Sequence, residues 1–440
     1  MLEIWCELYA ITQSEKYREL AQRYYRRRLF DPLLEGRDVL TNMHANTTIP
    51  EVLGCARAYE VFGGERWLAI VRAYWKCAVT DRGYYVTGGQ TQGEVWTPKM
   101  RLKERLGDKN QEHCTVYNMM RLAEFLFRHT REPEYLQYME YNQYNGLMAQ
   151  TYWTGEDVEG NPKKGLLTYF LPMKAASRKQ WAGERDSFFC CHGTMVQANA
   201  AWNRGIYFQE NAQIYIAQYI DSSAEFDMDG TMIRIRQRQD YMNGMLQKSS
   251  VNDGFQSVVD ADAASPSRPD FRKHIFTVEI GHEPASNIKV SLLFRIPEWI
   301  TGEASVYVNG KLCQSSGDSS TFITIDRVWQ TGDTVTVLLP IGLQFITLPD
   351  DKTMGAFRYG PEVLAGICEK ERVLTIPHSD PVEELSVSCG RQWGSFLTKY
   401  RTENQDPGID FVKLNEIGYE PYQIYFKVIP SHTDHRGVPE

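Results

Sequence analysis

Apolar residues recur at helical spacing through the first 150 residues, and they do so in paired segments. Residues 2–11, 50–62 and 114–127 each carry an apolar stripe of helical period. After a short polar turn each is followed by a second helical run, at residues 16–21, 66–71 and 134–139. Three helical hairpins in succession predict a solenoid or a closed barrel of paired helices. A seventh helix is predicted over residues 194–202, straight after a pair of cysteines. Near Gly205 the period changes from helical to alternating.

Residues 206–208, 214–220, 276–280 and 288–296 read as strands, as do 322–325 and 334–339, with Gly332-Asp333 between the last two. Asn309-Gly310, inside the run from Val306 to Lys311, is a tight-hairpin signal. Many short strands with regular turns favour a β-sandwich. A stretch rich in Ser, Asp, Ala and Pro at 249–269 predicts a surface loop or insertion, and the end from Pro430 reads as frayed. The expected division is a helical part over 1–204, a β-sandwich over 205–345 and a further β-rich region over 346–440. A chain of 440 residues has room for such a multidomain arrangement.

Composition narrows the function classes. Charged residues at 24% and hydrophobic ones at 42% are ordinary for a globular protein. A net charge of -8 argues against nucleic acid, which needs clustered Lys and Arg, and against an anionic membrane surface. No apolar run approaches a membrane span, and the start, Met1 to Cys6, lacks the pattern of a signal peptide. Nine cysteines are too sparse for a small disulfide scaffold. Cys6, Cys55, Cys77, Cys313, Cys368 and Cys389 fit buried small hydrophobes. Free thiolates suggest a reducing compartment or protection by a metal, which leans to the cytoplasm and leaves the location open.

The candidate chemistry lies with the other three cysteines. Cys190-Cys191 follows, at a distance in sequence, the run Glu112-His113-Cys114. Three thiols and a carboxylate make a plausible tetrahedral zinc site, provided the backbone turns sharply enough for both adjacent cysteines to face one ion. The competing readings are buried thiols or a vicinal disulfide, and for Glu112 a solvated residue at a helix start. His113 and His192 are rival donors that point differently from their neighbours. Glu94 closes the run from Gly88 to Gly93, where glycine permits close approach to a ligand, although an exposed glutamate on a flexible loop has the same sequence. His44, in His44-Ala45-Asn46, precedes a helix; Tyr169 fits either a core or a sugar-stacking pocket.

Together these runs resemble a known family. Glu112-His113-Cys114-Thr115-Val116-Tyr117-Asn118 and Ser187-Phe188-Phe189-Cys190-Cys191-His192-Gly193 are similar to signature runs of the zinc-dependent β-L-arabinofuranosidases, glycoside hydrolase family 127 and its relatives. The glycine run ending in Glu94, His44-Ala45-Asn46 and Tyr169-Phe170-Leu171-Pro172 match too, as do Phe294-Arg295-Ile296-Pro297-Glu298-Trp299, Val308-Asn309-Gly310 and Gly360-Pro361. The resemblance implies a barrel of paired helices followed by β-sandwich domains. It implies zinc held by Glu112, Cys114, Cys190 and Cys191, with Cys190 as nucleophile, Glu94 as general acid/base, and His44 and Tyr169 on the sugar. The expected reaction is retaining hydrolysis of a β-linked arabinofuranoside or related sugar.

A closed barrel of this family needs twelve helices, and the sequence pattern supplies about seven. The N-terminal part of the barrel is therefore expected to be absent, exposing apolar helix faces that predict association, as with a second copy, or poor solubility. A rival expectation is a zinc-stabilised carbohydrate-binding or scaffold protein without activity. A hydrolase using metal-bound water is less favoured, because four protein ligands leave no open position.

Overall fold

Eight α-helices and many short strands make up the described residues of the computed structural model, which are 1–153, 165–183, 187–240, 270–280, 289–377, 379–388 and 399–431. The predicted insertion at 249–269, Cys389 and the end after Ser431 lie outside them. The helices are α1 Leu2–Thr12, α2 Glu15–Arg23, α3 Arg27–Leu34, α4 Ala45–Phe62, α5 Glu65–Trp75, α6 His113–Thr130, α7 Pro133–Asn142 and α8 Cys190–Ala200. No described helix is long and apolar enough to cross a membrane.

The hairpins read from periodicity are present as α1–α2, α4–α5 and α6–α7. Two expectations need correction. Helix α3 escaped the sequence reading because its arginines mask a short apolar face made by Leu29, Phe30 and Leu33, all buried. Helix α4 starts at Ala45 and not at Pro50: proline is favoured in a helix's first turn, yet here it sits inside the helix.

Contacts divide the chain into two compact units. The first comprises Met1–Thr130, Tyr138–Trp202 and Gln344–Glu440, so the C-terminal strands share a body with the helices. Their shared core joins Tyr85, Leu102, Leu171 and Met173 to Val363, Tyr422 and Tyr425. Polar contacts reinforce it: Asn145 donates to the Pro361 carbonyl and accepts from the Val363 N–H, both at 2.8 Å. The C-terminal strands form a nine-stranded mixed sheet.

The second unit comprises Arg131–Gln137 and Asn203–Leu343. A six-stranded sheet runs in the order Lys311–Ser316, Ala304–Val308, Thr334–Ile341, Asp270–Ile280, Thr231–Asp240, Ser222–Met228. A four-stranded sheet runs Thr321–Val328, Lys289–Ile296, Gln213–Ile216, Tyr207–Glu210. Phe276 of the first sheet meets Phe294 of the second edge-on at 5.2 Å, giving the sandwich its aromatic centre. The predicted Asn309-Gly310 turn is present, with φ of 49° and 75°, the left-handed pair that a two-residue hairpin demands. A second such hairpin, turning on Asp229 and Gly230, went unread although Thr231–Gln237 alternates strictly between buried and exposed.

Among the cysteines expected to be buried, Cys6, Cys55, Cys77 and Cys368 are so. Cys313 is exposed, because the strand Lys311–Ser316 lies at the edge of its sheet and buries none of its residues.

Candidate metal and catalytic centre

Two helix N-termini meet at the cysteine cluster. Glu112 immediately precedes α6 and Cys114 lies in that helix's first turn. Cys190 and Cys191 are the first two residues of α8, so the pair opens the helix whose start the sequence pattern predicts four residues later, at Thr194. Helical rise without a sharp loop turn brings both sulfurs to one side, 4.0 Å apart. The positive ends of two helix dipoles then favour ionised ligands.

The four ligand atoms of Glu112, Cys114, Cys190 and Cys191 all lie within 4.8 Å of one another. The sulfurs of Cys114 and Cys191 are 3.5 Å apart, and Glu112 Oε1 lies 3.7 Å from Cys190 and 3.9 Å from Cys191. A tetrahedral ion with zinc–sulfur bonds of about 2.3 Å sets its sulfurs about 3.8 Å apart, so this cage has the right size for zinc. Glu112 is 1% exposed, which rules out the solvated helix-start alternative.

Electrostatics point the same way. Burial raises the Glu112 carboxyl above the usual carboxylate range, and burial raises the Cys190 thiol. Cys191 is raised by its hydrogen bond with Cys114 and by burial, while Cys114 is lowered by that same bond, aided by Thr194. Four such groups cannot all ionise at this separation on their own; a cation removes the conflict.

A polar layer orients these ligands. Thr115 Oγ1 donates to Glu112 Oε2 at 3.1 Å. Thr194 Oγ1 lies 3.3 Å from Cys114 Sγ, 3.1 Å from the Cys191 carbonyl and 3.0 Å from His113 Nδ1. Neither threonine was singled out from sequence, although each stands three residues past a ligand in a helix, the spacing that stacks side chains on one face. His113 is buried, which depresses its pKa to about 4 and keeps the ring neutral. His192 Nδ1 instead accepts the Phe189 N–H at 3.2 Å. Both histidines thus have other partners.

Cys190 is the exposed member of the set, and beside it stand the remaining candidates. The Tyr169 hydroxyl lies 3.4 Å from Cys190 Sγ and donates to Glu94 Oε1. His44 Nε2 lies 3.3 Å from Glu94 Oε2. The glycine run proves to be a hairpin: Thr91–Gln92 pairs with Val95–Trp96, and the two turn residues, Gly93 and Glu94, have φ of 61° and 65°. A glutamate in that left-handed conformation is strained, as residues at functional sites often are. Glycine is needed at position 89 because a Cβ there would stand 2.5 Å from Gln111 Oε1. All seven candidate residues therefore converge in one place.

Comparison with known proteins follows the same lines. Residues 1–204 match the model of the β-L-arabinofuranosidase GH127 catalytic domain, and residues 213–341 match that of the GH127 middle domain. No curated protein sequence matches the chain. Among solved structures, a GH127 β-arabinofuranosidase aligns with a TM-score of 0.68 at 18% identity, over 97% of this chain and 68% of its own. A GH127 β-L-arabinofuranosidase from Geobacillus stearothermophilus T6 aligns at 0.67 and 16% identity, over 97% and 71%. A protein described as a glycoside hydrolase aligns at 0.67 and 17% identity, over 96% and 74%. These structural likenesses speak to the fold.

Proposed function

The chain belongs to the glycoside hydrolase family 127 β-L-arabinofuranosidases, and from that premise we propose that it is a retaining glycosidase in which Cys190 attacks the sugar and Glu94 transfers the proton. The substrate class is a β-L-arabinofuranoside or a related sugar. The reading rests above all on one arrangement: the Tyr169 hydroxyl touches Cys190 and donates to Glu94, so nucleophile and acid/base face one point.

In the first step Cys190 Sγ forms a bond to the anomeric carbon as the bond to the leaving oxygen breaks. Glu94 gives its proton to that oxygen. In the second step a water molecule attacks the same carbon, Glu94 takes the water's proton, and the C–S bond breaks with its electron pair returning to sulfur. Two displacements on one carbon retain configuration, with the thiolate in the place of the usual second carboxylate. Tyr169 and His44 hold Glu94 from its two oxygens and orient its proton, and both are placed to meet the sugar hydroxyls. A zinc ion held by Glu112, Cys114, Cys190 and Cys191 would keep the thiols deprotonated and make the departing thiolate a better leaving group.

A purely structural metal site would have no reason to leave one ligand exposed beside a glutamate, a histidine and a tyrosine. That favours the enzyme over a non-catalytic scaffold. The test is metal content of the purified chain together with release of nitrophenol from a nitrophenyl β-L-arabinofuranoside. Stoichiometric zinc with release is expected; zinc without release on this and related furanosides would overturn the catalytic reading.

A further inference from the structure

Behind the hairpin that carries Glu94 lies an ion pair, buried at its arginine and open to solvent at its aspartate, that the reaction itself does not touch. The Arg82 side chain is 0% exposed, and its Nη2 lies 2.8 Å from Asp38 Oδ1. Its Nη1 donates to Thr41 Oγ1 at 3.2 Å and also to the Thr97 carbonyl. Asp38 in turn accepts from the Leu40 N–H at 2.9 Å, the Thr41 N–H at 3.3 Å and, through its other oxygen, the Thr41 hydroxyl at 2.7 Å. Thr41 lies three residues before His44, and Thr97 three residues after Glu94. One guanidinium therefore ties together the two segments that end in the two residues.

Between those segments runs a short backbone ladder. Asn42 N–H donates to the Trp96 carbonyl and Trp96 N–H to the Met43 carbonyl, both at 3.0 Å, and Ala45 N–H donates to the Glu94 carbonyl at 2.8 Å. At the far end of this ladder His44 Nε2 and Glu94 Oε2 stand 3.3 Å apart. Glu94 occupies a strained turn, so nothing in its own backbone preference holds it there.

The pair is poorly explained as a stability device. Burying the Arg82 charge costs desolvation that its attraction to the partly exposed Asp38 must offset, and an apolar side chain would fill the same space. Arg82 Nε is moreover left without a hydrogen-bond partner. What arginine adds is a rigid fork of donors that can grip acceptors on several segments at fixed angles.

We propose that Arg82 is a positioning residue: with Asp38 it sets the register between the segment ending in His44 and the Glu94 hairpin. It rests on the glycosidase reading above for the use made of those two residues. Misplacing a reacting group by about 1 Å costs about a hundredfold in rate. Arg82→Met in the zinc-loaded full chain should therefore lower kcat about a hundredfold and shift the limb of the pH–rate profile that reports Glu94. KM and zinc content should stay near those of the parent, and Arg82→Lys should recover part of the loss. Thr41→Val, which removes the hydroxyl shared by Arg82 and Asp38 but leaves their ion pair and the Thr97 arm, should move kcat and the profile the same way by a smaller factor, and serves if Arg82→Met fails to fold.

A lower Tm with parental kcat and a superimposable pH profile in Thr41→Val and Arg82→Lys would overturn the proposal. If the parent chain turns nothing over, the glycosidase reading falls. A crystal structure of the Thr41→Val chain then decides the clamp alone: a parted His44–Glu94 pair supports it, and an unmoved pair overturns it.

Discussion

The hydroxyl of Tyr169 lies 3.4 Å from the sulfur of Cys190. Burial first, and then hydrogen bonding to Cys190 and Glu94, raises that phenol far above its usual range, so it is a donor at every working pH. Tyr169→Phe should remove a hydrogen bond to an acid/base carboxylate and cost about tenfold or more in kcat. Zinc content should not change, because Tyr169 is outside the cage; parental kcat would show that the hydroxyl is incidental.

Cys190→Ala should abolish turnover, by a factor of about a thousand or more. The same change removes one of four ligands, so zinc should bind more weakly while the remaining three keep the helices together. Stopped assays on metal-loaded protein give the first result, and competition with a chromogenic chelator gives the second. Residual turnover near that of the parent would exclude Cys190 as nucleophile.

Glu94→Gln separates the two chemical steps. A nitrophenolate leaves without a proton, so the first displacement should survive, and the second should stall for want of a base. The expected trace is a burst of about one nitrophenol per active site followed by a rate about a hundredfold or more below the parent. Loss of zinc in this variant would show that Glu94 belongs to the metal cage.

Chelation should lower the Tm of the chain. Glu112, Cys114 and Cys191 are buried at the joined ends of α6 and α8, and without a cation they must protonate or repel. Calorimetry with and without a strong chelator reads the shift, and an unchanged Tm would count against a resident metal.

His274 gives the sandwich a pH dependence of its own. The ring is fully buried, neither nitrogen has a hydrogen-bond partner, and burial, followed by the nearby Arg272 charge, depresses its pKa to about 3. The unfolded chain takes up that proton near pH 6.5 and the folded one does not, so the unfolded state binds more protons between the two values. Stability associated with this group is unaffected above about pH 6.5 and falls as pH drops towards 3. At pH 5 the loss is about 2 kcal/mol. His274→Phe should flatten that limb in denaturant titrations at pH 5 and pH 8, and an equal pH dependence in both proteins would show that His274 is paired.

Apolar periodicity determined much of this protein without any tertiary information. It located the three helical hairpins, the change to alternating strands near Gly205 and the Asn309-Gly310 turn, because burial against one neighbour repeats with the geometry of the element itself. Residue chemistry brought together Glu112, Cys114, Cys190 and Cys191, since thiols and a carboxylate are the ligands zinc accepts. Tertiary structure decided what those residues could do. Sequence spacing cannot say that residue 112 just precedes one helix and residue 190 begins another whose end meets it, nor that a hydroxyl from residue 169 joins Cys190 to Glu94. It cannot show Arg82 fully buried between the segments of His44 and Glu94. Nor does it reveal that the C-terminal strands complete the core of the helical unit. Periodicity records only whether a side chain is buried; which distant segment buries it depends on chain topology, and that is settled by the summed contacts of the whole fold.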